Sequence, residues 1–119
     1  MKNKFKPAYY GIKDFFLYDH TIRIHLAIAL VACLAGWFFN ISITEWLVVL
    51  LCIGIVLVAE TFNSAIEKLC DLIDNHYNSR IKNIKDISAG SVLIAAFISV
   101  VAGIIIFLPK LFRMFSSLF

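Results

Sequence analysis

The sequence predicts an all-α membrane protein, a short surface helix followed by three transmembrane helices, and three observations carry that prediction. The chain has 119 residues, of which 61% are hydrophobic, against about 45–50% in a soluble domain. So short a chain buries the smallest share of its own surface, and no internal core could hide that much apolar area. The apolar residues also come in three long runs separated by charged blocks. The last run, Ala89 to Leu108, is 20 residues without an ionisable group, long enough to cross the hydrocarbon as a helix. With no repeat, low-complexity stretch or Pro/Gly-rich linker, residues 1–119 read as one domain.

The first element, residues 1–22, is basic and aromatic. Lys2, Lys4, Lys6 and Lys13 alternate with Phe5, Tyr9, Tyr10, Phe15 and Phe16. Ile12, Phe15 and Phe16 share one side of a helical wheel, and lysines opposite them would meet anionic headgroups. The pattern predicts an amphipathic helix lying on the membrane. A cleaved signal peptide is the competing reading. It would require a small-x-small site after the first apolar run, which instead ends in Trp37, Phe38 and Phe39.

The first span covers residues 24–39 and closes at Asn40, with His25 near its entry. The second covers residues 46–70. It begins near Glu45 and Trp46, reads WLVVLLCIGIVLVA without a charge, and continues into Glu60 with no turn signal. The third covers residues 87–108 and is closed by Pro109. Gly36, Gly54 and Gly103 are points where helices could approach closely, although single glycines do not define an interface. Cys33, Cys52 and Cys70 have neither metal-ligand spacing nor a disulfide framework and read as small buried hydrophobes.

Charge sets the expected orientation. Five Lys or Arg residues precede the first span, four lie between Lys68 and Lys85, and the loop from Asn40 to Glu45 has none. By the positive-inside rule, the N-terminus and the second loop are cytoplasmic. The net charge of +3 is not the dense basic stripe of a nucleic-acid binder, so no nucleic-acid partner is expected.

The chemistry-bearing stretch is AETFNSAIEKLCD, residues 59–71. Glu60, Asn63, Ser64, Glu67 and Asp71 share one face of a helix emerging from the second span. A charged residue at membrane depth costs about 2.5–3.5 kcal/mol even on the lenient insertion scale, and is functional by default. Glu60, directly after the apolar run, needs a partner or a raised pKa, and a carboxyl with a raised pKa is a natural proton acceptor. A solvated helix face would explain Asp71 alone but rarely forms so narrow a stripe. An ion pathway would want acids nearer mid-bilayer. A second polar group, Arg80, Lys82, Lys85 and Asp86, precedes the third span. Anchoring explains Arg80 and Lys82, while Asp86 suits either a helix cap or a functional role. Carboxylates beside lysines at one membrane interface fit a phosphate-bearing, metal-bound ligand. The P-loop, the GxGxxG fingerprint and the protein-kinase motif set are all missing from the sequence.

These residues resemble the prokaryotic diacylglycerol kinase family, which includes undecaprenol kinases. AETFNSAIEKLCD is similar to the family's E-x-x-N-[ST]-A-I-E-x-x-x-D pattern. IKDISAGSVL resembles its A-K-D-x-x-A-G-A-V-L segment, and YYGIKDFFLYDHTIRIHL its N-terminal region. The resemblance implies a homotrimer in the bacterial inner membrane, with active sites shared between subunits. It implies ATP-dependent phosphorylation of a lipid alcohol, diacylglycerol or undecaprenol, with Mg²⁺. Carried over by position, Glu60 is the general base and Glu67 and Asp19 hold the metal. Asn63, Lys85 and Asp86 position phosphates and nucleotide; Asp71, Arg23 and Ser64 support them. Asp19 stands where the family usually has Glu, Asn83 and Ile84 precede Lys85 in place of a small residue, and Ser91 replaces Ala. The RIHL and DISAGSVL runs lean toward the undecaprenol-type members. The alternatives are a non-catalytic membrane scaffold and an ion- or proton-conducting protein.

Overall fold

In the computed structural model, which describes residues 4–119, four helices follow one another with short breaks. Lys2, counted above with the basic N-terminal segment, lies outside the described residues. The helices are α1 (Phe5–Tyr18), α2 (His20–Phe38), α3 (Ile43–Ile73) and α4 (Ser79–Leu118). The last three are long and apolar enough to cross a membrane.

α1 is shorter than the expected 1–22 helix because Asp19 adopts an extended backbone and caps α2. Its carboxylate accepts the Thr21 N–H at 3.0 Å, which satisfies one of the donors that a helix start leaves open. α2 therefore opens at His20, before the span expected from residue 24. It ends in a Schellman turn, with Asn40 at φ 52°, a conformation that Asn tolerates better than most residues. The Ile41 and Asn40 N–H groups donate to the carbonyls of Gly36 and Trp37. Gly36 is required here, because a Cβ would sit 2.8 Å from the Trp46 ring. Gly54 and Gly103 meet nothing within 4 Å and make no close approach in this chain.

α3 starts with a capping box. The Ser42 hydroxyl accepts the Glu45 N–H, and the Glu45 carboxylate accepts the Ser42 N–H. At its far end the turn of residues 74–78 is held by two side chains. Asp74 accepts from the His76 N–H, and Asn78 caps α4 by accepting from the N–H groups of Arg80 and Ile81. The expected loop from Lys68 to Asp86 is thus mostly helix. Asp86 lies a full two turns inside α4 and does not cap it.

α4 has 40 residues, about 60 Å at 1.5 Å per residue, twice the roughly 30 Å of hydrocarbon. Its first turns therefore project beyond the apolar segment with their charges. Contrary to the expectation that Pro109 closes this element, the helix runs through it to Leu118. Lys110 ties the next turn down, donating to Glu45 at 2.6 Å and to the Ile106 carbonyl at 3.2 Å.

The chain runs up, down and up again, with α3 and α4 an antiparallel hairpin along their length and α2 packed more loosely on α3. Ile41, Val49 and Ile106 are buried together, with Trp46, Phe39 and Phe107 around them. Farther along, Ala95 is buried and the Ser99 hydroxyl reaches the Cys52 carbonyl at 3.4 Å. Small side chains of this kind let membrane helices approach. Cys70 is buried, as expected, while Cys33 and Cys52 are half-buried. Only 11–17% of each apolar window is buried within the chain, so lipid or other protein must cover the rest.

Candidate active site

The polar face of α3 emerges beside the α1–α2 junction on one flank and the first turns of α4 on the other. Glu60, 5% exposed, is the most deeply buried charged residue among those described. Its partner comes from α2: His25 Nε2 lies 2.7 Å from Glu60 Oε1. One helical turn earlier on the same face, the Thr21 hydroxyl lies 3.4 Å from Glu60 Oε2. That hydroxyl is also 2.5 Å from Asp19 Oδ1. Asp19, Thr21, Glu60 and His25 thus form one connected chain of polar groups across the α2–α3 contact.

Asp19 also lies close to the Ser64 hydroxyl and in the field of Lys68. Burial pushes its carboxyl up, but the Thr21 hydroxyl and N–H, helped by Ser64 and Lys68, outweigh that and leave it below its usual value. The carboxylate is ionised at neutral pH, as a metal-binding group must be.

On the other flank, Lys85 donates to Asp71 at 2.7 Å, clamping α4 to α3. Glu67 lies within the electrostatic reach of Lys85 and accepts a hydrogen bond from the Asn63 amide at 3.4 Å. The Asn63 carbonyl oxygen is buried with no hydrogen-bond partner, as is the Ser88 hydroxyl. Such orphaned atoms carry a desolvation cost and mark places where a further group would be welcome.

The structure therefore brings Glu60, Asn63, Ser64, Glu67 and Asp71 onto one face with Asp19 and Lys85 beside it. It does not bring Asp86 to them: Asp86 pairs with Lys82 along α4 at 2.7 Å, and both are exposed. Arg23 is exposed and takes part in no hydrogen bond or ion pair among the described residues. Nor do any three His, Cys, Asp or Glu residues, among those described, gather closely enough for a metal cage. Thr21 and the role of His25 escaped sequence reading. The available signal was that both polar residues fall one turn apart at the start of an otherwise apolar span.

Residues 6–107 match the family described as prokaryotic diacylglycerol kinase. The chain belongs to that family. Among curated proteins it is 38% identical over 93 residues to an undecaprenol kinase of Bacillus subtilis, covering 78% of this chain and 76% of that one. It is 30% identical over 108 residues to a diacylglycerol kinase of Synechocystis, covering 90% of this chain and 62% of that one. Family membership makes the chain a membrane lipid kinase that uses ATP, generally with a divalent metal. Phosphoryl transfer asks chiefly for positioning and charge neutralisation, and the polar face of α3 offers carboxylates for both, with Lys85 of α4 beside it.

Proposed function

We propose that this chain transfers the γ-phosphate of ATP directly to the hydroxyl of a membrane lipid alcohol, with Glu60 as general base and Mg²⁺ as the metal. The observation that carries this reading is the Glu60 carboxylate, buried where α3 leaves its apolar run and held on one oxygen by His25. A lipid hydroxyl can reach that level from the bilayer while the nucleotide stays in water. Glu60 takes the hydroxyl proton as the lipid oxygen attacks the γ-phosphorus. The bond from that phosphorus to the bridging oxygen of ADP breaks as the new bond forms. Lys85 and Asn63 orient the phosphates, and Asp71 holds Lys85 in place by their ion pair.

Mg²⁺ is usually held by one or two carboxylates plus substrate phosphates rather than by an all-protein cage. Glu67, Asp19 and the unpartnered carbonyl oxygen of Asn63 suit such a site. Bound there, the ion would neutralise charge on the phosphate oxygens. Asp86 takes nucleotide contacts and Arg23 supports the site from their exposed positions, assignments supported by their match to the family pattern. Ser64 supports Asp19.

The working form is a homotrimer in the bacterial inner membrane, with sites shared between subunits. The uncovered apolar faces of α2, α3 and α4 support it. α1, with Lys4, Lys6 and Lys13 among exposed Phe5, Tyr9, Tyr10 and Ile12, lies on the membrane surface. The Lys and Arg distribution puts the N-terminus and the turn of residues 74–78 in the cytoplasm.

Undecaprenol is the better supported acceptor, on the identities of 38% and 30% to the two relatives. The test is phosphate transfer from ATP by purified protein in bilayers holding undecaprenol or diacylglycerol separately. Faster transfer to undecaprenol is expected. Faster transfer to diacylglycerol would reverse the choice of acceptor, and transfer to neither would remove the reading.

A further inference from the structure

The pair at the head of the α2–α3 contact contains a residue that the proposed chemistry does not yet use. We infer that His25 is a positioning residue for Glu60, holding one carboxylate oxygen so that the other faces the lipid hydroxyl. The inference rests on the reading of Glu60 as general base and deepens it.

The hydrogen-bond accounting assigns the two oxygens different jobs. With Glu60 ionised, His25 Nε2 carries its hydrogen and donates to Oε1 over 2.7 Å. The Thr21 hydroxyl has one hydrogen and two carboxylates in reach, Asp19 at 2.5 Å and Glu60 Oε2 at 3.4 Å. The shorter contact takes the hydrogen, so Oε2 faces the hydroxyl's lone pairs instead of its proton. A buried carboxylate oxygen without a donor is poorly satisfied until a hydroxyl arrives. The lipid alcohol supplies that donor and then surrenders its proton to the same atom. Oε1, fixed by His25, cannot swing into its place.

The surroundings favour access from the bilayer. His25 stands at one end of an apolar groove between α2, α3 and α4. The groove holds about 380 Å³ and is lined largely by Ala, Val and Ile, with Cys52 and Ser99 among the few polar contributors. A chain lying in it would end at the imidazole and present its hydroxyl next to Glu60. A mere tie between helices would need neither the groove at its back nor the divided carboxylate at its front.

The experiment compares wild type with His25→Leu, His25→Gln and His25→Asn, with and without Glu60→Gln, in bilayers with ATP and the preferred lipid. Removing the donor lets the carboxylate turn, and kcat falls about 100-fold, the scale of a misplaced reacting group. The KM for ATP stays within about twofold, because His25 bonds Glu60 and none of the residues proposed to hold metal or phosphates. Gln carries an amide donor near the place of Nε2 and restores most of kcat. Asn is too short to reach, and gives the loss even if the Leu variant does not fold. Added to Glu60→Gln, His25→Leu lowers the residual rate less than about threefold, since groups acting as a unit are not additive. An unchanged kcat in folded His25→Leu or His25→Asn overturns the inference and leaves Glu60 as base. So does a Gln variant as slow as Leu, or full additivity with Glu60→Gln. Inactive wild-type protein on both lipids would instead sink the kinase reading and this inference with it.

Discussion

The two ends of the helical bundle use the same residue types to opposite purposes. At the Asn40 end, the side chains of Ser42, Glu45 and Lys110 satisfy one another. Glu45 gives one oxygen to the Ser42 N–H and the other to Lys110, and the Schellman turn packs Ile41 beside Gly36. At the Asp74 end, a carboxylate–lysine pair again joins α3 to α4, between Asp71 and Lys85. Around it, however, Glu67 is exposed, Asn63 keeps an unpartnered oxygen, and Glu60 keeps one oxygen without a committed donor. A closed network rigidifies, whereas an incompletely satisfied one is a cost borne for a ligand. On the proposed reading, the difference separates the end that holds the fold from the end that would perform the reaction.

Substitutions can break that contrast. Glu60→Gln has the largest expected effect: turnover falls at least about 100-fold, the usual contribution of a general base, while the melting temperature stays close to wild type. Survival of full activity would move the chemistry elsewhere. Next is Glu67→Gln, which raises the Mg²⁺ needed for half-maximal rate by at least about tenfold, in line with lost metal-site contacts. A metal titration of initial rates checks it.

The opposite end answers in stability and not in rate. Gly36→Ala forces a methyl against the Trp46 ring, and overpacking of this kind costs about 1–3 kcal/mol. Ser42→Ala removes the α3 cap and costs about 1 kcal/mol. Thermal melts and kcat on the same preparations should show both losses with turnover of the folded fraction unchanged. A large kcat effect from either would erase the distinction between the two ends.

The smallest expected effect concerns pH and the turn after α3. Hydrogen bonds from the His76 N–H and the Asn78 amide hold the Asp74 carboxyl below its usual value. A carboxyl with a depressed folded-state pKa stabilises the fold fully above its unfolded value, near 4. That contribution fades as pH falls through the lower folded-state value. Amide exchange at His76 should therefore be flat from neutral pH down to about pH 5 after correction for intrinsic rates, and accelerate only in stronger acid. Asp74→Asn, which keeps an acceptor without the charge, should remove the acid limb.

Much of the membrane architecture was legible because hydrophobic period and length are local properties. The uncharged stretch from Ala89 to Leu108 announced a span on its own, and Asn40 marked a helix end because few residues adopt its left-handed backbone. The stripe from Glu60 to Asp71 was legible for the same reason: residues three and four apart on one helix share a face whatever surrounds them. Two residues have an outcome in the structure that local pattern left undecided or read differently. Pro109 reads as a stop, yet the helix runs through it to Leu118, with Lys110 bonded to Glu45 just beyond it. Asp86 suits either a cap or a functional role in the sequence; Asn78 takes the cap eight residues earlier and leaves Asp86 paired with Lys82.

The sequence by itself determined that three helices can cross a membrane, that a polar face continues out of the second, and that lysines follow near the same boundary. These depend on spacing and side-chain chemistry along one element. Only the tertiary structure decided which group faces which: His25 and Thr21 against Glu60, Lys85 against Asp71, and Asp19 beside Ser64. The hydrogen bonds among them join residues 14 to 39 positions apart. Helix register and turn length set them, and neither follows from the local periodicity that made the helices readable.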